Sequence, residues 1–141
     1  MAVIAILISM AIPSFRGMQQ EARKTKASGD LRVLKMAIES YYKNNGWVYP
    51  PTGTTWETLL TTTAVVPNII NTVIYDQFNP TANTQYGYNL SGGTNGQYYV
   101  IYSVGPLCSS NPEATTAAVS VTGAVTLSVP SVVWDSNGHS P

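Results

Sequence analysis

Hydrophobic and polar residues divide the chain into an apolar start, a charged helical segment and a polar remainder with short apolar runs. Residues 1–13 contain no charged side chain and end at Pro13. Gly46, a typical helix-ending residue, follows the charged segment. Within that segment, apolar residues recur at steps of three and four, the spacing of one helical face: Ala27, Leu31, Leu34, Ile38 and Tyr41. The pattern predicts one helix over 1–46, apolar over 1–13 and amphipathic over 14–46, which packs on the rest of the protein through these periodic residues.

Pro13 and Gly17 weaken this helix where its apolar part meets its charged part. Proline has no N–H to donate to the carbonyl of Ser9, and its ring crowds the preceding turn. Gly17 adds backbone freedom one turn later. We therefore expect a helix break, either a kink or a non-helical stretch, between Ser9 and Gly17 when copies of the chain are assembled together.

Residues 47–141 have the pattern of a β-rich head. The segments 86–90 and 97–104 are rich in tyrosine and β-branched residues, and the loop between them is rich in glycine, serine and asparagine, which predicts a β-hairpin. A second hairpin is predicted over 118–129, and 132–134 predict a final strand. An antiparallel sheet of this kind needs cover on one face, which the helix can provide. The sequence thus predicts an α+β fold, with a long N-terminal helix packed on a small antiparallel sheet.

One further helix is predicted between the long helix and the first hairpin. Thr54 and Glu57 have the spacing of a capping box, in which the two side chains satisfy the first free N–H groups of a helix. We expect this short helix to run from Thr54 to about Thr62.

Charge is distributed unequally, although the formal net charge is zero. All seven basic residues lie between Arg16 and Lys43. A basic segment beside an apolar run can contact anionic lipid headgroups, pair with acidic groups of neighbouring copies, or remain solvated. Nucleic-acid binding through the head is not expected, because the head has no cation to neutralise phosphates. From Asn44 onward only four side chains are charged, all of them acidic: Glu57, Asp76, Glu113 and Asp135.

Several stretches of the chain resemble the type IV pilins and the major pseudopilins of type II secretion. The apolar run and the Pro13-Ser14-Phe15 sequence that ends it are similar to the interior of the N-terminal helix in these families. Four more stretches follow the order found in major pseudopilins: 41–50, 76–80, 86–88 and 97–106. The resemblance implies a pilin-like fold and a non-enzymatic structural role.

The first function that the resemblance implies is a structural subunit of an extracellular, type IV pilus-like helical filament. Such a subunit is N-terminally methylated, lies in the inner membrane before assembly, and is polymerised with its own copies by an assembly machinery. The filament core, or the membrane segment before assembly, would be formed by the large apolar side chains Val3, Ile4, Ile6, Leu7, Ile8, Met10 and Ile12.

Two other functions remain open at this stage. The chain could be a type II secretion major pseudopilin, which forms a periplasmic filament for protein export. From a different class, it could be a membrane-tethered adhesin whose head recognises glycans through tryptophan, with Trp47, Trp56 and Trp134 as candidates.

Alignment at Pro13 places Met1 about nine residues after the mature N-terminus of these families. The glycine of their cleavage site and the glutamate near their mature start do not occur in residues 1–13. We therefore expect the native mature chain to start upstream of Met1.

The sequence contains no recognisable catalytic site. The single histidine, His139, is close to the C-terminus, and the single cysteine, Cys108, has no neighbouring histidine to activate it. Major pseudopilins hold calcium in the loop after the strand that matches 97–104, but residues 106–113 contain no aspartate. Because calcium favours carboxylate oxygens, only Glu113 and Asp135 remain as weak ligand candidates. We expect no cofactor, with calcium as the one possible exception.

Overall fold

The computed structural model describes residues 2–53, 56–61, 70–79, 81, 83–92, 96–105, 117–128 and 133–138, with side chains from residue 15 onward. Helix α1 (Ala2–Asn44) is followed by the short helix α2 (Trp56–Thr61). The strands of the described part are β1 (Gly87–Leu90), β2 (Tyr99–Tyr102), β3 (Ala117–Val119), β4 (Val125–Leu127) and β5 (Trp134–Ser136). This is the α+β fold predicted from the sequence, with a long N-terminal helix and a small antiparallel sheet.

Helix α1 dominates the molecule by its length. Its 43 residues correspond to about 64 Å at 1.5 Å per residue. It ends where predicted, because the N–H of Asn45 still donates to the carbonyl of Tyr41 and Gly46 then adopts a φ of 68°. In the single chain the helix also runs through Pro13 and Gly17. The predicted break concerns assembled copies and stays a prediction.

Strand β2 is the centre of the main sheet. It pairs antiparallel with β1 on one side and with β5 on the other, so the strand order is β1-β2-β5. Strands β1 and β2 form the predicted hairpin, with Tyr88 opposite Ile101. A Cβ atom on Gly87 would overlap the ring of Tyr102, its partner across the hairpin, so a larger residue at this position would displace that ring.

The last strand begins later than predicted. Residues 132–134 were expected to form it, and 135–141 to form a polar tail, whereas β5 is Trp134–Ser136. Its polar residues are held by specific partners: Lys35 donates to Asp135 Oδ1 and to the carbonyl of Ser136, and the N–H of Tyr99 donates to Asn137 Oδ1. These long-range bonds, rather than apolar burial, extend the strand into the polar segment.

The head has cover on both faces of β2 rather than on one. Tyr99 and Ile101 point to α1 and join the main core, whereas Val100 joins a second apolar cluster with strands β3 and β4. Those two strands form the second predicted hairpin as a separate two-stranded sheet, with Val119 opposite Val125. Since Tyr99, Val100 and Ile101 are all fully buried, β2 is the innermost strand of the head.

The interface between α1 and the head is formed by the periodic face that the sequence displays. Tyr41 is half-buried and packs against the edge of the core. On the N-terminal side of this tyrosine, the same helix face contains five residues that are at most 1% exposed: Ala27, Leu31, Leu34, Ala37 and Ile38. Helix α1 here contacts β2, β5 and α2.

A cavity at this interface is expected to destabilise the head. We predict that Leu34→Ala lowers the free energy of unfolding by about 2–5 kcal/mol, because Leu34 is completely buried. Met36→Ala, a change on the exposed side of the same helix, should alter it by less than about 0.5 kcal/mol. Urea unfolding followed by tryptophan fluorescence measures both, since the three tryptophans all lie in the head. Equal stability of the two variants would contradict the packing described here.

Candidate functional site

Residues 15–26 of α1, the described side chains that precede the head, are not covered by it. Ala27 is the first buried residue of the helix among those with described side chains. Residues 15–26, here called the uncovered segment, are exposed except for the half-buried Lys24. They include two large apolar side chains, Phe15 and Met18, which are 64% and 68% exposed. A surface of this kind on a rigid helix is available to other molecules.

The apolar residues predicted for a filament core lie still further towards the N-terminus, in the first turns of α1: Val3, Ile4, Ile6, Leu7, Ile8, Met10 and Ile12. Their side chains are outside the described part, so their contacts stay a prediction. No helix within the described residues contains a segment with the length and hydropathy needed to cross a membrane.

Two helix carboxylates bind tyrosine hydroxyls of the head. The Tyr86 hydroxyl donates to Asp30 Oδ2 over 3.0 Å, and the Tyr99 hydroxyl donates to Glu39 Oε1 over 2.9 Å. Burial, together with the neighbouring carboxylate in each case, raises the pKa of both tyrosines well above the usual value. Both hydroxyls therefore stay protonated and act as donors at physiological pH.

An ion pair completes the polar part of this interface. Lys35 Nζ lies 2.7 Å from Asp135 Oδ1 and 2.9 Å from the carbonyl oxygen of Ser136. Both charged side chains are about one-third exposed, so the pair is partly screened by water. Its effect is to tie β5 to the helix, because the two residues are separated by 100 positions in the chain.

Asp76 links the loop before β1 to the end of β2. Its Oδ1 accepts hydrogen bonds from the N–H of Phe78 and from the hydroxyl of Ser103, and its Oδ2 accepts one from the N–H of Val104. The residue is 5% exposed. Its sequence context predicts only a turn, and the bond to Phe78, two residues on, has that local form. The bonds to residues after β2 have no signal in the sequence.

Glu57 has contacts beyond the predicted cap of α2. Thr54, its partner in that prediction, lies outside the described residues, so the cap stays a prediction. The Glu57 side chain is fully buried, and its two oxygens accept hydrogen bonds from the N–H groups of Ile74 and Tyr86. Trp56 and Leu60, on the same short helix, are also buried. The helix therefore turns its glutamate inward, where it satisfies the backbone of two neighbouring segments.

Burial dominates the protonation of Glu57. It raises the pKa of this carboxyl group to about 8, although the N–H donors of Ile74 and Tyr86 lower it and the nearby Asp30 and Asp76 raise it further. The group thus keeps its proton between about pH 5 and pH 8, where an exposed glutamate is ionised.

Aromatic rings line the point where α1 passes into the head. Tyr42 stacks on Tyr49 with ring centroids 4.2 Å apart, and Tyr49 contacts Tyr99 at 5.0 Å. Asn137 Nδ2 donates to the Tyr49 hydroxyl, and burial raises the pKa of Tyr49 to about 12. The role of these tyrosines is therefore to pack between the helix and the head.

The tryptophans considered for glycan recognition occupy different environments. Trp56 is 2% exposed, stacks on Tyr88 and donates its indole N–H to the carbonyl of Tyr86. Trp134 is half-buried, and Trp47 alone of the three is largely exposed. Trp56 therefore has a core role, and the structure does not bring the three together on one surface.

The described residues do not fit a calcium site. Asp135, one of the two candidates, already accepts a hydrogen bond from the Lys35 ammonium, and a second cation at the same carboxylate would be repelled. Glu113, the other candidate, lies outside the described residues, as do Cys108 and His139. Within the described part, no three His, Cys, Asp or Glu side chains are grouped closely enough to hold a metal ion.

Because the pKa of Glu57 is raised in the folded protein, the free energy of unfolding should depend on pH. Between its unfolded value of 4.5 and its folded value of about 8, the folded protein holds a proton that the unfolded chain releases. The free energy of unfolding should therefore fall as pH rises from about 5 to about 8, by roughly 2–5 kcal/mol. Urea unfolding at a series of pH values measures this slope.

The matched variant for this test is Glu57→Gln, which keeps the shape of the side chain and cannot ionise. It should remove most of the slope between pH 5 and 8. A slope that is unchanged in Glu57→Gln would show that other groups cause it.

Comparison with known proteins places the chain in a family. A model of the family "type II secretion system (T2SS), protein G" matches residues 15–122, which is more than half of the chain. The match covers the uncovered segment, the interface with the head, and strands β1 to β3. Searches of curated proteins and of solved structures found no significant match. On the family match, and in agreement with its long helix and small antiparallel head, this chain belongs to the protein G family of the type II secretion system.

Proposed function

We propose that the protein is a pseudopilin subunit that polymerises with its own copies into a periplasmic filament of the type II secretion system. The observation that carries this proposal is the family match over residues 15–122. Before assembly the subunit lies in the inner membrane, and the secretion machinery moves it into the filament. Its role is structural, with the helix as the polymerising element and the head as its outer part.

The shape of the chain supports this role. The head packs on α1 only from Ala27 onward, whereas α1 begins at Ala2. About half of the helix therefore extends away from the head. An extended helix whose start is apolar needs lipid or other copies around it, since water is a poor solvent for it.

The apolar residues of the first 13 positions are sufficient to drive this burial. Each large apolar side chain gains about 1.5–3 kcal/mol when it leaves water. Met1 and the seven residues predicted for the filament core therefore gain on the order of 12–24 kcal/mol per subunit. Lipid and neighbouring helices satisfy these side chains almost equally. Transfer from membrane to filament is thus close to neutral, and an external motor and charged groups can decide its direction.

An extracellular type IV pilus, the first function inferred from the sequence, would use the helix in the same way. The family match favours the secretion branch over it. Electron microscopy distinguishes the two: sheared surface material contains the filaments of a pilus, whereas filaments of the secretion system remain in the cell envelope. A tethered adhesin is the third candidate, and it would stay in the membrane fraction as single subunits.

Removal of the N-terminal part of the helix tests the proposed role directly. A chain that begins at Lys26 retains the buried face from Ala27 onward, and we predict that it is a soluble, folded monomer. Size-exclusion chromatography and circular dichroism measure both properties, with the full chain as the control that forms filaments. Filaments of the truncated chain would show that contacts between heads suffice for assembly, and the proposed division of roles would be wrong.

A further inference from the structure

The basic side chains of α1 differ in whether they form ion pairs with the head. Lys35 is paired with Asp135 at the interface. In the uncovered segment, four basic side chains accompany one acidic side chain, Glu21, whose 3.3 Å contact with Lys24 is a weak surface pair. The other three basic side chains form no ion pair with any described residue: Arg16, Arg23 and Lys26.

Another copy of the chain offers few acids to these cations. Glu57 and Asp76 are buried and accept backbone N–H groups, and Asp135 is paired with Lys35. Asp30 and Glu39 accept the hydroxyl groups of buried tyrosines of the head. Among the described carboxylates, Glu21 is thus the one that is exposed and free of the head. Two uncovered segments side by side would bring like charges together, which is unfavourable.

The position of the uncovered segment favours a membrane surface instead. It follows residues 1–13, the apolar run, directly along one helix. Lys26 lies about 20 Å beyond Pro13 along the helix axis, and long basic side chains can extend back towards a headgroup layer. The exposed Phe15 and Met18 lie at the start of this segment, where apolar side chains can enter the boundary between headgroups and acyl chains.

We propose that residues 15–26 form a cationic collar that binds the anionic headgroups of membrane lipids. The proposal rests on the membrane stage of the function proposed above and adds a lipid preference to it. Arg16, Arg23, Lys24 and Lys26 supply the positive charge, and the apolar run holds them at the surface. Assembly then moves the collar away from anionic lipid, so the lipid composition of the membrane affects how readily subunits enter the filament.

The test measures how the full-length protein distributes between two kinds of vesicle that are separated by size. One kind contains phosphatidylcholine only, and the other contains about 30% phosphatidylglycerol in addition. Because the apolar run can enter both, the distribution reports the charge contribution alone. Wild-type protein should favour the anionic vesicles, and roughly 0.5 M salt should weaken this preference by screening.

Two double variants that lose the same charge provide the comparison. Arg23→Gln with Lys26→Gln removes two of the four positive charges of the collar, and should lower the preference for anionic vesicles about 5- to 25-fold. Arg32→Gln with Lys43→Gln removes one arginine and one lysine that are exposed beside the head. Along the helix, Arg32 lies about 9 Å and Lys43 about 26 Å further from Pro13 than Lys26 does. Screening weakens their attraction to the membrane accordingly, so this control should change the preference less than about twofold.

Each result of these experiments either supports or overturns the proposal that the collar binds anionic lipid. Equal distribution of the wild-type protein, or equal losses in the two double variants, would overturn the collar. So would a collar variant that keeps its lipid preference but fails to form filaments, because its cations would then serve neighbouring copies. If the collar variant alone loses the lipid preference while wild-type protein forms no filaments, the collar stands and the proposed filament function fails.

Discussion

The structure depends on the burial of one face of α1 against the central strand of the head. Leu31, Leu34 and Ile38 meet Tyr99 and Ile101, and all five are at most 1% exposed. This contact gives β2 the cover that a single small sheet needs on its inner face. It also fixes where the helix leaves the head, since no described residue before Ala27 is buried. The length of free helix is therefore set by the start of this packed face.

The absence of lysine and arginine after Lys43 is a second constraint, because it determines which groups can pair with the carboxylates of the head. Without cations of its own, the head satisfies Glu57 and Asp76 with backbone N–H groups and a serine hydroxyl. Asp135 receives its partner, Lys35, from the helix. Buried carboxylates that are bonded in this way hold separate segments of the head together.

These two constraints separate the molecule into parts with different roles. The head carries acidic side chains and no lysine or arginine, and its described acids are bonded within the molecule. The free part of the helix carries four of the seven basic side chains, and the apolar run precedes them in the sequence. An arrangement of this kind agrees with membership of the protein G family of the type II secretion system. Electrostatic interactions with other molecules are then concentrated on the helix.

The sequence by itself was sufficient for the features that depend on local order. The steps between Ala27 and Tyr41 predict the buried helix face, and the tyrosine-rich segments predict the first hairpin, because side-chain direction repeats regularly along helices and strands. The resemblance in the first helix likewise pointed to the pilin and pseudopilin families, and the family match confirms this membership.

Only the tertiary structure decided the partners of the polar residues. Glu57 reads as a surface cap and Asp76 as a turn residue, yet both are buried at positions where distant N–H groups need an acceptor. The pairing of Lys35 with Asp135 spans 100 positions and moves the last strand into a segment that reads as a polar tail. Such contacts arise from the packing of segments that are remote in sequence, and no local periodicity records them.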